Sequence, residues 1–311
     1  MKPKVVITDW GFPSLDPERE ILGALNVIIE DHQCKTEDDV CAVVKDADVV
    51  IAQWAPVKEK AIAAMQRCKG IVRYGIGLDN VDLEAAKRKG IPVRNVPDYC
   101  LNEVADHTVA LALALQRQVT HVHTLVKSGI WKITPPAPLP PLRHNRVGLI
   151  GFGRISRLVA KRFQPFGCSV VAHDRYVDPH IFAAADVEAV PLDELFSTSD
   201  IISLHCPLTD ETRQIINATS LRTMKPHALL VNTGRGGLVN SNALVEALEQ
   251  NRLGGAALDV AEEEPMRADH ALLRFPNVIV TSHIAWYSNA SATELQRRAA
   301  QIAGELLSSN T

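Results

Sequence analysis

Short apolar runs alternate with longer amphipathic ones from the start of the chain. KVVITDW (4–10) reads as a strand, and PEREILGAL has helical spacing. NVIIE is apolar again, and TEDDVCAVVKDA is helical. DVVIAQW then reads as a strand, VKEKAIAAMQRC as a helix and GIVRYG as a short strand. Apolar runs of strand length separated by periodic runs of helix length predict an α/β fold with a parallel sheet and crossover helices. The alternation restarts after residue 145, through VGLI, CSVVAHD, IISLH, HALLVN, GGAALDV and NVIV, so a second unit of the same kind is expected.

Between the two halves, residues 101–129 read as one long helix, apolar through the middle and therefore buried. TPPAPLPPL (134–142) follows, with five prolines in nine residues, a stiff extended connector. A last helix, near SATELQRRAAQIAGELL, is expected to cross back to the first unit. With 311 residues and 46% apolar content the chain can build one large core or two medium ones. A net charge of −3 gives no positive excess for nucleic acid or an anionic membrane. No signal-peptide pattern opens the chain, and no apolar stretch reaches bilayer length. Six cysteines without C-x-x-C spacing point to buried thiols in a reducing compartment, hence a cytoplasmic protein. No metal site is expected, since His121 and His123, two apart on a helix, do not face one another.

Candidate chemistry begins at RVGLIGFGRISRLVAKRF (146–163). Gly151 and Gly153 fall where a strand turns into a helix that starts near Arg154, so free helix N–H groups and the dipole face that turn. Glycine lets a pyrophosphate approach the backbone. The next strand ends in Asp174, which can accept both ribose hydroxyls of NAD and would repel the 2′-phosphate of NADP; Arg175 beside it partly offsets that repulsion. The alternative is a purely structural βαβ turn.

Three side chains lie just beyond successive strands. Arg235 in TGRGG can clamp a carboxylate or sit in a surface turn. Glu264 closes an acidic run that can equally be a solvated face, and His283 ends NVIVTSH as either a packed residue or a proton donor. Together they suit reduction of a 2-oxo acid. Histidine donates a proton near neutral pH, a carboxylate holds its tautomer, arginine holds the substrate carboxylate, and a nicotinamide brings the hydride that no side chain can. Arg73 at the end of GIVRYG is either a second cation near the substrate or part of a surface salt bridge. Trp286 is either a wall beside the substrate or hinge packing.

RYGIGLDNVDLEAAKRKGIPVRNVPDY, NEVADHTVALAL, VGLIGFGRI, LHCPLTDET, VNTGRGGLV, GAALDVAEEEP and TSHIAWYS together resemble the NAD-dependent D-2-hydroxyacid dehydrogenases over nearly the full length. The likeness is greatest to the branch with phosphoglycerate dehydrogenases and C-terminal-binding proteins. It implies two Rossmann-like doubly wound parallel-sheet domains with a cleft between them. The substrate domain would be 1–99 completed by 285–311, and the NAD-binding domain 100–284, with a homodimer formed through the 101–129 helix region. The resemblance also implies His283 as acid/base, Glu264 as its partner and Arg235 as the cation, with the backbone of Ile76 and Gly77 on the substrate carboxylate. Cofactor contacts are implied for Thr108, Gly151, Gly153, Arg154, Ile155, Asp174, His205, Cys206, Pro207, Thr212, Thr233, Gly234 and Asp259.

The chain departs from the family pattern in several places. Ser156 replaces a Gly or Ala, Gly234 stands where alanine usually precedes the arginine, and Ser282 replaces a proline. Asn145 replaces a glycine and is a residue type that tolerates the same turn geometry. The function expected is hydride transfer between NAD(H) and a small 2-hydroxy or 2-oxo acid of D configuration. The alternative is an NAD(H)-sensing protein-interaction scaffold like the C-terminal-binding proteins, which AWYS keeps open.

Overall fold

The computed structural model describes residues 2–133, 135, 137 and 140–308. The chain divides into two units, Met1–Cys100 with Tyr287–Thr311, and Leu101–Trp286.

In the first unit the strands are β1 (Lys4–Ile7), β2 (Ile28–Asp31), β3 (Val49–Ala52), β4 (Gly70–Arg73) and β5 (Val93–Asn95). The connecting helices are α1 (Asp16–Gly23), α2 (Glu37–Val43), α3 (Glu59–Ala64) and α4 (Leu83–Arg88). The sheet is parallel, in the order β2-β1-β3-β4-β5. Its inner strands are the unbroken apolar runs, with Val5, Val6, Ile7, Val49, Val50 and Ile51 buried, whereas edge strand β2 stays partly open. Local sequence sets the helix starts. Thr36 and Asp39 form a reciprocal capping box on α2, and Asp82 caps α4.

The second unit opens with α5 (Leu101–Gln116) and α6 (Val119–Lys127). Next come β6 (Arg146–Ile150), α7 (Arg154–Phe163), β7 (Ser169–His173), α8 (Pro179–Ala184), β8 (Glu188–Ala189), α9 (Leu192–Thr198) and β9 (Ile201–Leu204). It ends with α10 (Ala218–Thr223), β10 (Leu229–Asn232), α11 (Ser241–Glu249), β11 (Gly255–Leu258) and β12 (Val278–Val280). The seven strands run β12-β11-β10-β9-β6-β7-β8, all parallel. One face packs on α5, α7 and α8 through Val109, Leu111, Val159, Phe163 and Phe182. The other packs on α9, α10 and α11 through Leu195, Leu221 and Leu244. The sheet is therefore doubly wound, and its strand order reverses between β6 and β9, where a crevice opens at the carboxyl ends.

The last helix, α12 (Asn289–Ser308), belongs to the first unit. It buries Leu295, Ala299, Ala300 and Ala303, and Gln296 donates to Ser14 O at 2.8 Å and to Glu18 at 3.0 Å. Tyr74 donates to the other Glu18 oxygen at 2.6 Å.

One sequence expectation needs correction. The single helix read over 101–129 is two helices, because Gln118 adopts left-handed backbone (φ 51) and ends the first. The apolar middle that suggested burial is α5 alone, which hides Val104, Ala105, Val109, Leu111, Ala112 and Leu115, while α6 buries no residue. Asn145, with φ and ψ of −79 and 141, is in ordinary extended backbone, so its tolerance of turn geometry is not used. The connector read over 134–142 lies partly outside the described residues, at 134, 136, 138 and 139.

Candidate active site

Six strand ends of the second unit, those of β6, β7, β9, β10, β11 and β12, carry the candidate chemistry. At the end of β6, Gly151 has φ 87, and a Cβ there would lie 2.7 Å from the backbone of His205 and Cys206. Glycine is thus required twice, by conformation and by the close passage of the chain after β9. Gly153 caps α7 in extended backbone without a side-chain cap bond, and a Cβ built on it meets nothing within 4 Å. The open space lies against a helix N-terminus, the setting in which a pyrophosphate is bound. Arg154 is exposed at the start of α7, while Ile155 packs towards the core. Ser156 is fully buried and its hydroxyl has no hydrogen-bond partner, so serine is tolerated here rather than used.

Asp174 follows β7. Its carboxylate accepts Phe152 N–H at 2.8 Å and Tyr176 N–H at 2.9 Å, which fixes it at the rim of the glycine turn. Arg175 points to Glu211 at 3.6 Å. Beyond β9, His205 N–H donates to Ile150 O at 2.7 Å, and its Nε2 lies 2.9 Å from Ser203 Oγ. Burial lowers the His205 pKa to about 4 and raises the Cys206 thiol to about 11, so both are neutral at physiological pH. Thr212 donates to Pro207 O at 2.6 Å and closes this turn. Thr108, buried on α5, donates to Val104 O at 2.7 Å and lies 2.8 Å from Thr233 Oγ1, bracing the turn after β10 from behind.

That turn carries Arg235. Asn232 at the end of β10, fully buried, clamps it at two points: its Nδ2 donates to Arg235 O at 2.9 Å and its Oδ1 accepts Gly234 N–H at 3.0 Å. Sequence reading passed over Asn232, whose signal was an amide at a strand end directly before TGRGG. A Cβ on Gly234 would meet neighbours no closer than 3.4 Å, so the missing methyl changes little. A Cβ on Gly236 would lie 1.8 Å from Ala261 O. The arginine turn is therefore seated on the backbone of the segment that holds Glu264.

Glu264 and His283 meet directly. His283 Nδ1 lies 2.8 Å from Glu264 Oε2, and Ala261 N–H donates to Oε1 at 3.0 Å. A carboxylate only accepts, so Nδ1 carries a proton. Burial pushes the Glu264 carboxyl up, but the His283 hydrogen bond and charge, the Ala261 N–H and the Arg235 charge together hold it below its ordinary value.

His283 itself has φ 57. Left-handed backbone in a residue with a Cβ costs on the order of 1–3 kcal/mol and needs a framework. Asp259, 1% exposed after β11, supplies it. Its carbonyl accepts His283 N–H at 2.7 Å, and its carboxylate accepts Ile284 N–H at 3.0 Å and Ala285 N–H at 2.9 Å. Trp286 is half-buried and is the last residue of this unit.

In the first unit Arg73 is buried rather than on the surface, with its guanidinium 5.4 Å from the Trp54 ring centroid. Gly75, at φ 138, leaves room for it, since a Cβ would lie 1.5 Å from Arg73 Nη1. Asn95 Nδ2 donates to Ile76 O at 2.6 Å. Across a trans peptide the Gly77 N–H then points away from Asn95.

Comparison with known proteins places the chain in a family. Residues 109–285 match the model of the D-isomer specific 2-hydroxyacid dehydrogenase, NAD binding domain. The chain is 39% identical over 272 residues to a D-3-phosphoglycerate dehydrogenase of Methanocaldococcus jannaschii, covering 87% of this chain but only about half (51%) of that relative. It is 33% identical over 309 residues to a glyoxylate reductase of Korarchaeum cryptofilum, covering 97% of this chain and 92% of the relative. A crystal structure of D-lactate dehydrogenase from Aquifex aeolicus, complexed with NAD and lactic acid, superimposes with a TM-score of 0.89 at 28% identity, covering 97% and 95% of the two chains. Matched over more than half its length by the family model, the chain belongs to the D-isomer specific 2-hydroxyacid dehydrogenases, NAD(H)-dependent enzymes acting on small 2-hydroxy and 2-oxo acids.

Proposed function

We propose that His283, Glu264 and Arg235 carry out the reversible reduction of a small 2-oxo acid to its D-2-hydroxy acid. The observation behind this reading is the His283–Glu264 pair at 2.8 Å, with the Arg235 turn seated on the Glu264 segment. NADH supplies the hydride when bound, held at Gly151–Ile155, Asp174, His205–Pro207, Thr212 and the Thr108-braced Thr233–Gly234 turn, with Asp259 at the same strand ends. Nε2 of His283 gives its proton to the carbonyl oxygen as that oxygen gains charge, and Glu264 stabilises the imidazolium before the transfer. Arg235 orients the substrate carboxylate. Within the first unit, Ile76 and Gly77 offer backbone N–H groups, and Arg73 a cation, of the kind a carboxylate takes.

A panel of 2-oxo acids, followed by loss of NADH absorbance, tests the reading. Glyoxylate, hydroxypyruvate and bulkier acids share the carboxylate–carbonyl core, and turnover of at least one is expected. NADH binding without turnover of any would replace the reading with a dinucleotide-sensing scaffold. The same panel examines Trp286 as a wall beside the substrate. Trp286→Ala should raise KM for a large apolar acid by about 10–200-fold more than for glyoxylate, which has no side chain to pack on it. A uniform loss with a lower Tm would make Trp286 hinge packing instead.

Cofactor choice rests on Asp174. NAD(H) is expected to bind much more tightly than NADP(H), and Asp174→Ala should narrow the gap, as read by fluorescence titration of both. Equal affinities in the unaltered protein would transfer the decision to Arg175.

Two wider assignments belong to the same proposal. α6 and the residues after it expose Val119, Val126, Ile130, Trp131 and Ile133, an apolar surface suited to a homodimer through the 101–129 region. All six cysteines are free thiols, as in a reducing cytoplasm, and among the described residues no helix is long and apolar enough to cross a membrane.

A further inference from the structure

We propose that His107 and Thr281 are positioning residues for His283, acting through Asp259. The proposal rests on His283 being the proton donor.

His107 sits on α5 and Thr281 directly follows β12, 174 residues apart in sequence. Thr281 Oγ1 lies 2.5 Å from Asp259 Oδ1 and 3.2 Å from His107 Nε2. The directions follow from the donors available. A hydroxyl has one proton, and the carboxylate can only accept, so Thr281 donates to Asp259. The hydroxyl oxygen then accepts, which places a proton on His107 Nε2. The result is a one-way chain from His107 N–H to Thr281 O–H to the Asp259 carboxylate. His107 Nε2 also lies 3.6 Å from Asp259 Oδ1.

Asp259 is the residue that holds His283 in left-handed backbone, and two of its loop contacts, to Ile284 and Ala285, use the same carboxylate. Without Thr281, Oδ1 would lose its shortest contact, and the carboxylate would be held only by the Ile284 and Ala285 N–H groups of the loop it is meant to fix. The His283 ring would then sit less firmly against Glu264. Thr108, the next residue on α5, braces Thr233 two residues before Arg235. Adjacent positions on one helix thus support the two loops that carry His283 and Arg235. This gives His107 a role that its place in an apolar helical stretch does not suggest.

The test compares Thr281→Val, which keeps the shape and removes the hydroxyl, with Thr281→Ser, which keeps the hydroxyl. His107→Leu is compared with His107→Gln, which restores an N–H donor. Steady-state reduction is measured with the best 2-oxo acid of the panel, alongside NADH titration and amide hydrogen exchange. Thr281→Val should lower kcat about tenfold or more, leave NADH affinity within about twofold, and speed exchange at Ile284 and Ala285, since small displacements of a reacting group cost up to about 10²-fold. Thr281→Ser should retain most of the activity, and His107→Gln should outperform His107→Leu. A normal kcat in Thr281→Val, or a serine variant as impaired as the valine one, would overturn the proposal. His283→Ala run in parallel separates two failures. If it stays active, the proton-donor reading is wrong and the positioning role falls with it. If it is inactive while Thr281→Val is normal, only the positioning role falls.

Discussion

His283→Ala should lower kcat for 2-oxo acid reduction by about 10²–10⁴-fold, the usual cost of removing a positioned acid. NADH affinity should stay nearly unchanged, because the glycine turn, Asp174 and the His205–Pro207 loop do not depend on the imidazole for their geometry. Its backbone is the one complication. The wild-type histidine already sits at φ 57, and alanine there meets the same strain, so the loop held by Asp259 keeps its conformation and the loss is chemical. Glu264→Gln makes the companion test. Glutamine can still accept from Ala261 N–H but removes the negative charge beside His283. Glu264 has its carboxyl below the ordinary range in spite of burial, so it is ionised throughout the neutral range and loses its charge only as the pH falls through that lowered value. Its charge favours the imidazolium that donates in reduction. The high-pH limb of the reduction profile should therefore move to lower pH in Glu264→Gln. Near-normal turnover in His283→Ala, or an unmoved limb in Glu264→Gln, would reject the pair as the acid and its partner.

The sheet was legible because its strands are buried on both faces and read as unbroken apolar runs. VVI at β1, VVIA at β3 and LLV in β10 have no exposed face to blur the pattern. The strand ends were legible for the same reason, since the first polar or glycine residue after each run marks where the backbone leaves the sheet. Helix length was less so. Residues 101–129 keep helical composition throughout, and nothing in QRQVT announces that Gln118 turns left-handed.

The candidate site was readable in the sequence as a set of reactive residue types, but not the contacts that support them. His283, Glu264 and Arg235 are reactive types at strand ends, and such types can be found by chemistry. Thr281 and His107 are ordinary polar residues whose importance comes from partners 22 and 174 positions away, and Asn232 is one whose amide clamps the backbone of its own turn. Asp259 shows the limit most directly. The family resemblance marks it as a cofactor contact, while the structure adds that its carboxylate and carbonyl are engaged with the loop around His283. No local pattern distinguishes those two uses.

The glycines on either side of Arg235 are alike in sequence and should behave very differently. Gly234→Ala is expected to leave activity and Tm near wild type, because the added methyl meets Leu204 O and Leu238 at 3.4 Å, ordinary contact distance. Gly236→Ala places its methyl 1.8 Å from Ala261 O and 2.5 Å from Glu262 N, atoms of backbone that cannot rotate aside. Either the arginine turn or the Ala261 segment must move. Ala261 N–H holds Glu264 Oε1, so the motion reaches the carboxylate partner of His283 as well as Arg235. Overpacking of this kind costs about 1–3 kcal/mol of stability. That is worth roughly 2–4 °C of Tm per kcal/mol in a unit of this size. The effect on rate should be larger, about 10²-fold in kcat/KM, since a shift near 1 Å at a reacting group is enough for that. NADH titration separates a displaced site from a lost cofactor, and affinity should fall far less than kcat/KM. Wild-type kinetics in Gly236→Ala, or equal damage from both alanines, would show that the arginine turn does not depend on its seat against the Glu264 segment.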